Sequence, residues 1–153
     1  MSWSGFVGDT LYLDTNIFIL AVERGNPWSK MLRELFEAID QRAIDVFTSE
    51  LTIAEVLAKP LSLGENDLAN KYDKLLSANS IVKVVPIDRA ILWSAAALQG
   101  RLAIKLMDAI HLATAKASAC NFFLTCDQRL GAKIEEELRW LSLDKVGSHG
   151  SKD

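Results

Sequence analysis

Hydrophobic positions along this chain alternate between short dense runs and longer stretches at helical spacing. Leu11 to Leu13 predicts a first strand, and Asn16 to Glu23 a short helix with Asp14 or Thr15 at its N-cap, stopped by Gly25-Asn26-Pro27. From Trp28 to Ile39 the residues Met31, Leu32, Leu35, Phe36 and Ile39 recur as they do on an amphipathic helix. Ala43 to Phe47 predicts a second strand, with Thr48 and Ser49 as a capping turn before a helix from Leu51 to Ala58. Pro60 should end that helix, because a proline disfavours helical geometry in the residue before it.

A polar stretch from Ser62 to Asp67 leads into a helix from Asp67 to Leu76. Ile81 to Ile87, dense in Val and Ile, is the clearest strand of the chain. Asp88 then caps a helix from Arg89 to Gln99 that Gly100 closes. Met107 to Ala119 predicts a buried, alanine-rich helix, Phe122 to Thr125 a strand, Ile134 to Leu138 a helix and Trp140 to Leu143 a last strand. Strands alternating with helices in this way predict an α/β fold, a central parallel sheet flanked by α-helices on both faces.

A length of 153 residues and 50% hydrophobic composition fit one globular domain, taken as residues 1–146, with a polar tail over 147–153 expected to be disordered. The net charge of −3, from 20 acids against 17 bases, gives no general attraction for a polyanion, so any nucleic-acid contact must be local. Lys59, Arg101, Lys105, Lys116, Arg129 and Lys133 lie near the candidate acids in sequence, although each one alone reads as ordinary surface charge. Cys120 and Cys126 form neither a CxxC pair nor a disulfide framework, which fits a reduced, cytoplasmic setting. The chain shows no signal-peptide pattern at its N-terminus and no apolar run long enough to span a membrane.

The candidate chemistry is acidic. Asp14 ends the first apolar run, Asp127 follows Phe122-Phe123-Leu124-Thr125-Cys126, and Asp108 opens the stretch from Asp108 to Ala115. If the runs are parallel strands, these acids collect at the rim where open α/β sheets bind ligands. Confined like charges repel unless a cation neutralises them, and with Glu55 the set suits a hard cation, Mg²⁺ or Mn²⁺. Each acid also has a plain structural account. Asp14 is a good N-cap, Glu55 completes a capping box with Thr52, Asp108 suits a helix N-terminus, and Asp127 suits a turn. A cap at Ser49 would instead leave Glu55 inside its helix and in need of another purpose. His111, one turn from Asp108 on an apolar helix, reads as a satisfied structural residue.

Taken in order, Leu13-Asp14-Thr15-Asn16-Ile17, Ser49 to Val56, Asp108 to Ala115 and Leu124-Thr125-Cys126-Asp127 resemble the PIN-domain family of metal-dependent ribonucleases, most closely the VapC-type toxins of toxin–antitoxin pairs. The ordered set spans almost the whole chain. The resemblance implies a PIN fold in which Asp14, Glu55, Asp108 and Asp127 form a catalytic, metal-holding pocket, with Thr15, Asn16 and Thr125 positioning those acids or the substrate. It also implies homodimers, an RNA substrate, and a small antitoxin whose segment lies across the active-site groove. Cys126 departs from the pattern by standing where such proteins often carry a polar residue.

The expected reaction is hydrolysis of an RNA phosphodiester by a metal-activated water, since no Ser, Cys or His triad is apparent. One rival is a haloacid dehalogenase-type phosphatase, although Asn16 occupies the place of that class's second Asp. A phosphorylated receiver domain lacks a convincing acidic pair and late lysine. The remaining rival is a PIN-like module that binds RNA or protein without catalysis.

Overall fold

The run Leu11 to Leu13 forms the middle strand of a five-stranded sheet, and all three side chains are fully buried. A computed structural model describes residues 3–146. The strands are β1 (Thr10–Leu13), β2 (Asp45–Ser49), β3 (Lys83–Val85), β4 (Phe122–Leu124) and β5 (Arg139–Leu141), in the order β3-β2-β1-β4-β5. Every pairing is parallel, with Tyr12 opposite Phe47 on one side and Phe123 on the other. From β1 the chain first builds outwards through β2 to β3, then returns to lay β4 against the other edge of β1. The reversal opens a crevice at the carboxyl ends of β1 and β4, where such sheets bind their ligands.

Among the described residues seven α-helices cover the sheet: α1 (Thr15–Val22), α2 (Ser29–Asp40), α3 (Leu51–Ser62), α4 (Asn66–Leu75), α5 (Arg89–Leu102), α6 (Leu106–Ala117) and α7 (Gln128–Ile134). Side chains alternate across β1, so its two faces feed separate cores. Leu11 and Leu13 pack with Val46 and with Ile17, Phe18, Leu32 and Leu35 of α1 and α2. Tyr12 faces the other way, with Phe123 stacked on it at 5.0 Å, among Ala95, Leu98, Leu112 and Ile134 of α5, α6 and α7. Trp3 is fully buried against the first of these cores, and its indole donates to Met31 O at 2.8 Å.

The structure departs from the sequence expectations at five places. Thr48 and Ser49 belong to β2 rather than to a turn; Thr48 is buried and its hydroxyl donates to Leu13 O. Helix α3 runs through Pro60 to Ser62, with Pro60 buried and its carbonyl accepting from Glu65 N, so packing against α4 offsets the missing amide bond. The expected strand Ile81 to Ile87 shrinks to Lys83–Val85, an edge strand paired on one side only and ended at Pro86, which has no N–H to offer a ladder. Helix α5 continues past Gly100 and stops at Ala103, which itself takes the left-handed conformation at φ 54°. The helix expected over Ile134 to Leu138 instead occupies Gln128–Ile134, because Asp127 caps it by accepting from Leu130 N. Gly131 is required there: a Cβ on it would fall 2.1 Å from the Trp140 ring. The tail expected over 147–153 lies outside the described residues.

Candidate functional site

The crevice between β1 and β4 is floored by Asp14, the buried N-cap of α1. Its Oδ1 accepts from Thr15 N at 2.8 Å, and its Oδ2 accepts from Thr125 Oγ1 at 2.7 Å and from Asn16 Nδ2 at 3.4 Å. Thr125 therefore ties the end of β4 to the end of β1. The same hydroxyl accepts from Asn16 Nδ2 at 3.1 Å and from Asp127 N at 3.1 Å, while Asn16 Oδ1 accepts from Cys126 N. The motif Asp14-Thr15-Asn16 is thus both a helix cap and one wall of the crevice.

Glu55 stands in the second turn of α3, which begins at Leu51, and Ser49 Oγ accepts from Leu51 N at 3.0 Å. Thr52 is not its capping partner. The Thr52 hydroxyl instead meets Thr48 Oγ1 at 2.7 Å. Glu55 Oε1 accepts from Thr15 Oγ1 at 2.8 Å and from His111 Nε2 at 2.6 Å. Burial raises its pKa, but these hydrogen bonds and the adjacent imidazole outweigh burial and hold it below the ordinary glutamate value.

His111, 1% exposed on α6, links three elements. Its Nδ1 meets the Tyr12 hydroxyl at 2.6 Å. Burial and the nearby Asp14 push the Tyr12 pKa well up, so the phenol keeps its proton beside His111 Nδ1. The sequence reading of His111 as a satisfied residue holds, but what satisfies it is the acid site itself, with Asp14 Oδ1 at 3.8 Å.

Asp108 lies in the first turn of α6 and is partly exposed. Burial raises its pKa, and the like charges of Asp14 and Asp127 raise it further, against smaller opposing effects of His111 and Lys105. Three of the four candidate acids therefore share one electrostatic neighbourhood. Asp127 is exposed at the N-cap of α7. On its side of the site Lys105, Arg129 and Lys133 join Asp108 and Asp127 around a cleft of about 250 Å³. On the Glu55 side a groove of about 460 Å³ is lined by Ile19, Val22, Leu68 and Tyr72 together with Glu23 and Glu65. Of the other cations, Lys59 borders that groove, whereas Arg101 and Lys116 are both taken up by Glu137.

The family model for the PIN domain matches residues 11–135. The chain belongs to the PIN-domain family. Solved structures agree with this fold. VapBC2 from Rickettsia felis bound to a promoter DNA fragment is similar to this PIN domain at a TM-score of 0.68 and 16% identity, covering 87% of this chain and 98% of that one. A toxin–antitoxin complex from Klebsiella pneumoniae aligns at 0.62 and 22% identity, covering 86% and 95%. VapC20 from Mycobacterium tuberculosis, described as a Sarcin-Ricin loop cleaving toxin, aligns at 0.64 and 16%, covering 80% and 93%. No curated protein matches the chain.

The acids of this PIN domain suit a divalent cation in chemistry, since all are hard oxygen donors and the repulsion felt by Asp108 is what a cation would relieve. Their geometry is less complete. Among the described residues no group of three or more His, Cys, Asp or Glu side chains is disposed to hold a metal ion. Asp14 and Glu55 are instead engaged by hydroxyl, amide and imidazole donors. What sequence reasoning missed is this donor network of Tyr12, Thr48, Thr52 and His111. Its one visible signal is polar side chains inside runs that are otherwise apolar.

Proposed function

We propose that this PIN domain is a metal-dependent endoribonuclease that hydrolyses RNA phosphodiester bonds, the toxin of a VapBC-type pair. The observation that carries the reading is the gathering of Asp14 after β1, Asp127 after β4 and Asp108 in the first turn of α6, close enough that burial and the like charges of the other two raise the Asp108 pKa. Asp14, Asp108 and Asp127, with Glu55 at the margin, are the residues that would hold Mg²⁺ or Mn²⁺. When bound, the metal would activate a water and steady the charge on the scissile phosphate.

The chain's own groups supply the orientation. Thr125, Asn16 and the Thr15 amide fix both oxygens of Asp14, and Thr15 with His111 fixes Glu55. Neither cysteine competes as a nucleophile, because burial pushes Cys120 up to about 12 and Cys126 to about 11, leaving both as thiols at neutral pH. A water-based attack is consistent with that chemistry.

Similarity to toxin–antitoxin complexes supports an antitoxin partner for this chain, and the VapC reading itself implies that the antitoxin is small and that the toxin is a homodimer in a cytoplasmic setting. The apolar groove beside Glu55 offers the antitoxin segment a surface next to the acids. A short upstream reading frame encoding a DNA-binding protein would support that pairing. Among the described residues no helix is long and apolar enough to cross a membrane. The phosphatase alternative has no observation in its favour. A PIN-like module without catalysis is favoured by one, the lack of a ready-made group of three metal ligands among the described residues. Calorimetry with Mn²⁺ separates the two. The nuclease binds the ion saturably and Asp108→Asn weakens that binding, whereas no binding at millimolar Mn²⁺ would favour the module.

A further inference from the structure

The two hollows that flank the acids differ in charge. The groove on the Glu55 side carries Glu23, Glu55 and Glu65 against the single cation Lys59, among apolar side chains. The cleft on the Asp108 side carries Lys105, Arg129 and Lys133. Lys105 and Arg129 are exposed, and neither enters a salt bridge among the described residues.

Helix capping does not favour cations at the positions of Lys105 and Arg129. Lys105 is the N-cap of the twelve-residue helix α6 and makes no capping bond, at an end where an acid or a short polar residue is favoured. Arg129 lies in the first turn of α7, where a cation is again the less favoured charge. Lys133 is held in place. Its Nζ donates to Ala103 O at 2.8 Å, which fastens the loop from Ala103 to Lys105 against α7. The cleft therefore has one cation fixed by a hydrogen bond and two that enter no salt bridge among the described residues, with Lys105 acting on Asp108 through space.

With a net charge of −3 the chain has no long-range pull on a polyanion, so backbone phosphates must be gripped locally. We propose that the cleft between α6 and α7 holds the RNA phosphates next to the bond being cut, with Lys105 and Arg129 as positioning residues that set the strand against Asp108 and Asp127. The proposal rests on the ribonuclease reading above. It gives the RNA a side of the site, because the acidic groove beside Glu55 repels the same backbone.

The test is fluorescence anisotropy of the full chain with a labelled single-stranded RNA, in EDTA to prevent cutting, over a series of salt concentrations. Lys105→Ala and Arg129→Ala each weaken binding about 5–10-fold at low salt and lower the salt slope by about 1, as loss of one phosphate contact does. Arg129→Lys keeps the slope. Lys59→Ala, in the groove on the other side, keeps both affinity and slope. Unchanged slopes in Lys105→Ala and Arg129→Ala, or an equal loss in Lys59→Ala, would overturn the cleft. A wild-type chain that neither binds nor cuts RNA would overturn the ribonuclease reading beneath it.

Discussion

The Thr125 hydroxyl donates to Asp14 Oδ2 at 2.7 Å while accepting from Asn16 Nδ2 and from Asp127 N. One side chain thus fixes an acid at the end of β1 and the approach of another after β4. Thr125→Val keeps the shape and removes the hydroxyl, leaving a buried carboxylate one donor short. The expected outcome is a loss of about 1–3 kcal/mol of stability and a fall of about 10–100-fold in RNA cleavage, with Thr125→Ser restoring most of both. Thermal unfolding and single-turnover cleavage check the two parts.

Glu55 and His111 make a prediction about pH. The folded pKa of Glu55 is depressed, so its contribution is fully present above the ordinary value of 4.5 and is lost as pH falls through the lowered value. Glu55→Gln cannot lose what it does not have. Its unfolding temperature should fall less steeply than that of the wild type as the solution is acidified below about pH 4.5, and parallel curves would contradict the pairing.

Asp108 behaves in the opposite sense. Its folded pKa is raised above the ordinary 3.8, so stability is lost as pH rises from that value through the raised one. Asp108→Asn removes the repulsion with Asp14 and Asp127. Because the group is partly exposed and screened, the expected gain is only about 1–2 °C in unfolding temperature at pH 7. The same variant loses RNA cleavage, so a stabilised but inactive protein is the signature sought by calorimetry and a cleavage assay together.

Gly131 and Trp140 make a packing prediction. A methyl group on Gly131 would meet the indole at 2.1 Å, and that indole also donates to Thr125 O at 3.2 Å. Gly131→Ala should cost about 1–3 kcal/mol through overpacking. Adding Trp140→Leu to it should cost less than the sum of the two single changes, because the pair shares one volume. Denaturant unfolding of the three variants checks this.

The central strand and the capping place of Asp14 were legible in the sequence because their signals are local. Leu11 to Leu13 is an apolar run ended by Asp14, and Asp14 then caps the helix after it. Helix α7 was misplaced for a physical reason: a glycine in its middle, required by Trp140 from β5, hides a helix that Asp127 starts. The run Ile81 to Ile87 overstated β3, since apolar content does not reveal that only β2 is available to pair with it. His111 is the clearest limit. Its partners Tyr12 and Glu55 lie 99 and 56 residues away, and no local pattern brings them together.

The central claim is that these acids cut RNA with a divalent metal, and the most direct measurement is cleavage of a structured RNA by the wild-type chain and by Asp14→Asn in Mg²⁺ or Mn²⁺, with and without excess EDTA. The wild type should cut only when metal is present and recover when it is added back, while Asp14→Asn stays folded and inactive. Undiminished cutting in EDTA, or full activity in Asp14→Asn, would contradict the account.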